Sequence, residues 1–311
     1  VLYSSYFSFS NYFEILEKKS VLNMNIRTIK KIIASQMVNM GGHLLDQPLP
    51  TKEVDQIDPF LLIHHWNQPL KAGGKQSEIG VGPHPHRGFS PVTFVFKGSL
   101  HHQDSIGNNK VVTAGGTQWM HSGKGIVHSE RPGKELAENG GENEFIQFWV
   151  NTPSKYKMEE PYYLPISDET TPKIEKDNAT ISIIAGTFEG VEGPAKTYSP
   201  QTLLRVAGDR KSTFSIELPR NFNALIYVLN GGLNIDNKII KEKDMVWLNN
   251  DGDEIHITIT EKCRFIVLSG EPIGEKVATY GPFVMNSEQE VKQAIFDFQN
   301  GDMGSLVETF S

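Results

Sequence analysis

Two histidines stand two positions apart in GPHPHRGF, residues 82–89, with Pro85 between His84 and His86. Further along, GIVHSE, residues 125–130, places His128 and Glu130 at the same spacing. In an extended strand, residues i and i+2 point to one face, so each pair presents its two side chains together. If the two strands lie close in one barrel, three imidazoles and one carboxylate converge. Those donors suit a divalent first-row transition metal, and an octahedral ion held by four protein ligands keeps positions open for substrate or dioxygen. Structural zinc sites more often use cysteine, and the chain has only Cys263. HxH alone is a weak signal. Followed by a strand, a turn and GxxHxE, it is a specific one.

Bringing the four residues together requires a β framework, and the sequence reads as one. Short apolar runs such as PVTFVFKGSL, EFIQFWVNTP, NALIYVLNGGL and CRFIVLSG are punctuated by glycine, of which the chain has 28. Strands at this spacing predict β-sandwiches or barrels rather than alternating βα units. An internal repeat sharpens the reading. TFVFKGSL (93–100) resembles IYVLNGGL (226–233), and VVTAGGTQWM (111–120) aligns with IIKEKDMVWL (239–248). The alignment sets Trp119 on Trp247 and His128 on His256. A duplicated barrel follows, with residues 24–160 forming the first copy and 161–311 the second, joined near 153–175 where proline and charge accumulate. At the end of the chain, Ser287 and Glu290 form a capping box ahead of Val291, Ala294, Ile295 and Phe298 on one helical face, with Gly301 as the stop. That face must be buried, and packing on a barrel is the expected use. Residues 1–23 carry no basic start or cleavage-like site and read as a non-native or disordered extension.

Composition narrows the function classes. The 311 residues carry a net charge of −7, which argues against a general nucleic-acid or anionic-membrane surface. No apolar run approaches the ~18 residues of a membrane span. One cysteine excludes an intrachain disulfide and fits a reducing, cytoplasmic compartment; Cys263, inside an apolar run, reads as a buried small residue.

HPHRGF, TAGGTQWMHSGKGIVHSERP and YGPFVMNSEQEVKQA closely resemble the pirin family of the cupin superfamily, and DPFLLIHHW (58–66) is similar to the family's early strand. The likeness runs from about Met24 to the final helix. It implies an all-β protein of two tandem cupin (jelly-roll type) barrels packed face to face, with one mononuclear metal in the first barrel only. Iron(II) is the leading ion, with Ni, Mn, Co, Cu or Zn compatible. The family's ligands carry over to His84, His86, His128 and Glu130, the four already reached from spacing. Some pirins are similar to quercetin 2,3-dioxygenases. That implies a small aromatic, enolisable substrate and dioxygen, Glu130 as both ligand and general base, and release of carbon monoxide on ring cleavage. The competing implication is a non-enzymatic, iron-dependent redox sensor that binds a regulatory protein partner, a transcription factor or a metabolic enzyme, without contacting nucleic acid itself.

Departures limit the transfer. Ser90-Pro91 stands where many cupins have Glu, and the second barrel aligns Glu217, Pro219 and Thr258 with His84, His86 and Glu130, leaving His256 alone there and no site. His64 and His65 could each be a pocket residue or a surface histidine, the surface being the expected place, and His102 is expected at the pocket mouth. Gln118 and Arg87 are candidates for orienting a ligand, with a structural ion pair the alternative for Arg87. Trp119 is expected in the core or cavity wall, and His121 has no assigned role.

Overall fold

The computed structural model describes residues 26–310; the expected extension over 1–23 lies outside them. The first barrel sets a seven-stranded sheet against a four-stranded one. The large sheet runs Tyr162–Ile166, Thr117–His121, Phe89–Lys97, Glu144–Asn151, Phe60–Asn67, His43–Leu49 and Gln36–Met40. The small sheet runs Val81–His86, Ile126–Pro132, Ser99–Asp104 and Asn109–Thr113. In the second barrel two long strands, Asn223–Ile235 and Glu254–Gly270, bend through both walls and join nine strands into one sheet.

The repeat is visible in the geometry. Gly98 and Gly231 occupy matching places in the two copies, at φ +75° and +79°. A Cβ would meet Glu142 O at 2.7 Å in the first and Lys262 O at 2.3 Å in the second. Both the left-handed backbone and the close carbonyl demand glycine at the bend.

Period-2 alternation sorts the side chains. Val92, Phe94, Ile146, Phe148 and Val150 face out of the first barrel and meet Leu203, Leu225, Tyr227, Leu229, Ile266 and Leu268 of the second in one buried slab. The two barrels therefore pack face to face. The opposite faces of the second barrel's strands, including Leu204, Val206, Ile226, Val228, Phe265 and Val267, fill its interior with alkyl and phenyl groups. Each such burial stabilises by about 1.5–3 kcal/mol. Cys263 belongs to this interior, where burial pushes its thiol up to about 12.

Three segments pack across position 160/161. Ile29–Ala34 pairs with Asp244–Leu248 of the second barrel, and Arg27 is buried there with its guanidinium donating to Gly252 O, Phe222 O and Pro219 O. Conversely, Tyr162–Ile166 pairs with Thr117–His121 of the first. The terminal helix, Glu288–Gln299, also lies on the first barrel: Ala294 packs with Val127, Phe283 and Met303, and Asp297 accepts from Arg87 at 2.6 Å. Ser287 caps it as expected, accepting from Glu290 N. Val291 and Ala294 are buried, whereas Phe298 is 38% exposed.

Candidate metal centre

Val81–His86 and Ile126–Pro132 pair antiparallel, with His84 opposite His128 and His86 opposite Ile126. The three imidazoles gather, their ring centroids 4.3–4.9 Å apart. One nitrogen from each lies within 4.8 Å of the others. Each ring is fixed from behind through Nδ1. His84 Nδ1 bonds Gly82 O at 2.8 Å, His86 Nδ1 lies 3.4 Å from Pro282 O, and His128 Nδ1 lies 3.4 Å from His102 Nδ1. His102 is tied in turn to Asp104 Oδ2 at 2.9 Å. This backing turns the Nε2 edges toward a common point, the arrangement in which outer hydrogen bonds set ring orientation for a metal. Among the described residues His128 Nε2 is buried without a hydrogen-bond partner. Burial, reinforced by the neighbouring His84, pushes His86 and His128 well below the ordinary imidazole range, so they present neutral lone pairs. These donors fit a divalent transition ion.

Glu130 stands apart from the three-histidine cluster. The register of the two strands shifts between His128 and Glu130. Its two oxygens accept from Gln118 Nε2 at 3.2 Å and from Gln147 Nε2 at 2.8 Å. Gln118 Oε1 accepts from Tyr163 OH at 2.8 Å, and Tyr163 stacks on His102 at 3.9 Å and 4°. Burial raises the Tyr163 phenol above its usual range, keeping it a donor. A single network thus runs from the imidazole backing to the carboxylate.

Both His84 and Glu130 face a cavity of about 370 Å³ whose wall also includes Leu62, His64, Trp66, Leu100, Phe145, Gln147 and Trp149. Trp66 and Phe145 lie stacked at 12°. The wall positions on Phe60–Asn67 and Glu144–Asn151 carry Leu62 and the aromatic and polar side chains of His64, Trp66, Phe145, Gln147 and Trp149. In the second barrel the corresponding faces are filled.

Several expectations change here. His64 and His65 are not surface residues: His64 lines the cavity, 2.8 Å from Gln47, and burial lowers it to about 4. His65 is fully buried between Tyr227 OH at 2.9 Å and Glu144 Oε1 at 3.4 Å. His102 sits behind His128 rather than at the mouth. Gln118 does orient Glu130, while Arg87 has the structural role, paired with Asp297. Trp119 is in the slab between barrels, and His121 is buried against Tyr162 and Tyr198. Gln147 escaped the sequence reading, although a lone polar residue at an inward position of EFIQFWV was a signal for it.

The second barrel also requires a correction. Leu100 pairs with Pro132 and its counterpart Leu233 with Ile259, so His128 and Glu130 correspond to Ile255 and Ile257. Ile216, opposite Ile255, takes the place of His84. All three are buried in the apolar interior. The sequence alignment was one residue out, and a one-residue slip moves every side chain to the other face. His256 accordingly points outward, 3.2 Å from Glu254.

One hollow barrel lined by imidazoles and one filled barrel behind it define a bicupin with, among the described residues, a three-histidine candidate metal pocket in the first barrel. The Pirin family model matches residues 42–150, and that of the Pirin C-terminal cupin domain matches 203–304. A Pseudomonas aeruginosa protein named provisionally as a quercetin 2,3-dioxygenase is 36% identical over 272 residues, 85% of this chain and 95% of that protein. Human pirin is 33% identical over 258 residues, 81% of this chain and 85% of its own. The solved quercetin 2,3-dioxygenase from Acinetobacter baumannii is 31% identical, with a TM-score of 0.85 over 91% of this chain and 100% of that one. The chain belongs to the pirin family. A nickel(II) complex of an Escherichia coli pirin, at 19% identity and a TM-score of 0.62, shares the fold.

Proposed function

We propose that this pirin is a mononuclear metal-dependent oxidoreductase that cleaves quercetin, or a related enolisable phenol, with dioxygen. The observation that supports it most is the three-imidazole cluster, two of whose members, His84 and His86, line an aromatic-walled cavity together with the Glu130 carboxylate. His84, His86 and His128 would hold the ion, with iron(II) first among the candidates. A bound ion would supply Lewis acidity and one-electron chemistry. Trp66, Phe145 and Trp149 offer flat apolar surface for an aromatic ring. Glu130, held by two amides, takes the proton from the substrate hydroxyl as a general base. As a fourth ligand it would use a second lone pair on an oxygen that already accepts from an amide. Addition of one dioxygen and loss of one carbon monoxide balance the ring cleavage. The single buried thiol suits a reducing, cytoplasmic setting.

Protein loaded separately with Fe(II), Mn(II), Co(II), Ni(II) or Cu(II) should consume oxygen with quercetin for at least one ion. His84→Ala should abolish that uptake. No metal-dependent turnover with any of them would refute the dioxygenase reading.

A further inference from the structure

The buried slab between the barrels ends in a polar pocket of about 150 Å³, lined among others by Phe96, Asp168, Ser182, Arg205 and Arg264. Arg205 lies beyond Leu203 on the slab-facing side of Gln201–Gly208, and its side chain is 6% exposed. Its Nη1 crosses the seam to donate to Gly116 O at 3.0 Å. Its Nε and Nη2, the two N–H groups along the other edge of the guanidinium, are buried without a partner among the described residues.

The other charges around the pocket are matched. Arg264 donates to both oxygens of Glu144, at 2.9 and 3.1 Å. Asp168 accepts from Lys173 at 2.7 Å; its carboxylate is near enough to favour the charged Arg205 but makes no hydrogen bond to it. Thr180, also on the lining, donates to Glu175. Ser182 is the strand partner of Arg205 and brings a hydroxyl beside the guanidinium. A buried guanidinium with two unpaired donors is costly unless an anion meets it. The Nε–Nη2 edge presents two parallel donors, the fork that matches two oxygens of a carboxylate or phosphate.

We propose that this seam pocket is a binding site for a small oxyanion, a phosphate or a carboxylate, held side-on by Arg205 and by the Ser182 hydroxyl. Because Arg205 already reaches Gly116, the anion ties the two barrels together. The site is separate from the histidine cluster and independent of the reaction assigned to it.

Equilibrium dialysis with inorganic phosphate and, separately, with acetate at constant ionic strength tests this. One anion should bind per chain. The Arg205→Gln variant should lose about tenfold or more in affinity. Saturating anion should raise the Tm of the unsubstituted protein by roughly 3 °C and leave Arg205→Gln unmoved. His128→Ala should bind the anion undiminished, which separates this pocket from a metal-bound anion. Binding of phosphate alone assigns a phosphoryl group, and binding of both assigns the shared oxyanion chemistry. If Arg205→Gln fails to fold, Ser182→Ala decides, with a loss of at least about threefold expected. The proposal is overturned by absence of saturable binding of either anion. Undiminished binding in the deciding variant, or loss of binding in His128→Ala, overturns it equally.

Discussion

His128 joins more of the site than any other side chain. It faces His84 across the strand pair, lies against His86, and is backed by His102 and Asp104. Replacing it with alanine should remove stoichiometric metal, read by elemental analysis. His102→Ala keeps all three donors but frees the His128 ring, so metal affinity should fall about 10–100-fold. The spacing of His84, His86, His128 and Glu130 was legible because strand alternation follows directly from residue number. The partners of these residues were not. Gln147 and Tyr163 reach Glu130 and Gln118 from strands whose neighbours are set by tertiary pairing, which a single sequence does not encode locally.

At the scale of elements, the duplicated pattern of short strands, the bend glycines and the capped terminal helix could all be read, because turn chemistry and caps are local. Gly98→Ala should cost several kcal/mol, about 1 for the left-handed backbone and more for the 2.7 Å approach to Glu142 O; chemical denaturation measures it. Ser287→Ala removes the helix cap and should cost about 1 kcal/mol by the same measurement. The exchange of Ile29–Ala34 and Tyr162–Ile166 between barrels was invisible, since edge strands of either sheet would accept the same alternation. The one-residue slip in the second barrel had a different origin. The matched tryptophans hold in the structure, but the connection from Trp247 to Ile255 is one residue shorter than that from Trp119 to His128, so an ungapped alignment slips there.

The whole molecule rests on its slab, and ion pairs cross between the barrels, among them Lys243 with Asp46 and Arg264 with Glu144. Arg264 of the second barrel pairs with Glu144 of the first, which also contacts His65. Burial alone would raise the Glu144 carboxyl, but hydrogen bonds from His65 and Arg264, with the guanidinium charge, outweigh it and hold the group at about 2. A carboxyl lowered on folding stabilises the native state above its unfolded value and loses that contribution as pH falls. Against an ordinary value of 4.5, the loss should run from about pH 4.5 down to pH 2 and amount to about 3 kcal/mol. Urea unfolding across that range should show the slope, and Glu144→Gln should flatten it. Arg264→Met leaves the buried Glu144 carboxylate with only His65 and Lys97 near it and should destabilise by about 2 kcal/mol at pH 7.

The most direct test of the proposed chemistry is oxygen uptake with quercetin, expressed per bound metal ion, for the unsubstituted protein and Glu130→Gln. With three imidazoles as the anchoring set and Glu130 as the base, Glu130→Gln should retain stoichiometric metal and lose turnover at least about 100-fold. Equal turnover per ion in the two proteins would contradict that assignment. Bound metal with no turnover in either would leave the regulatory reading standing in its place.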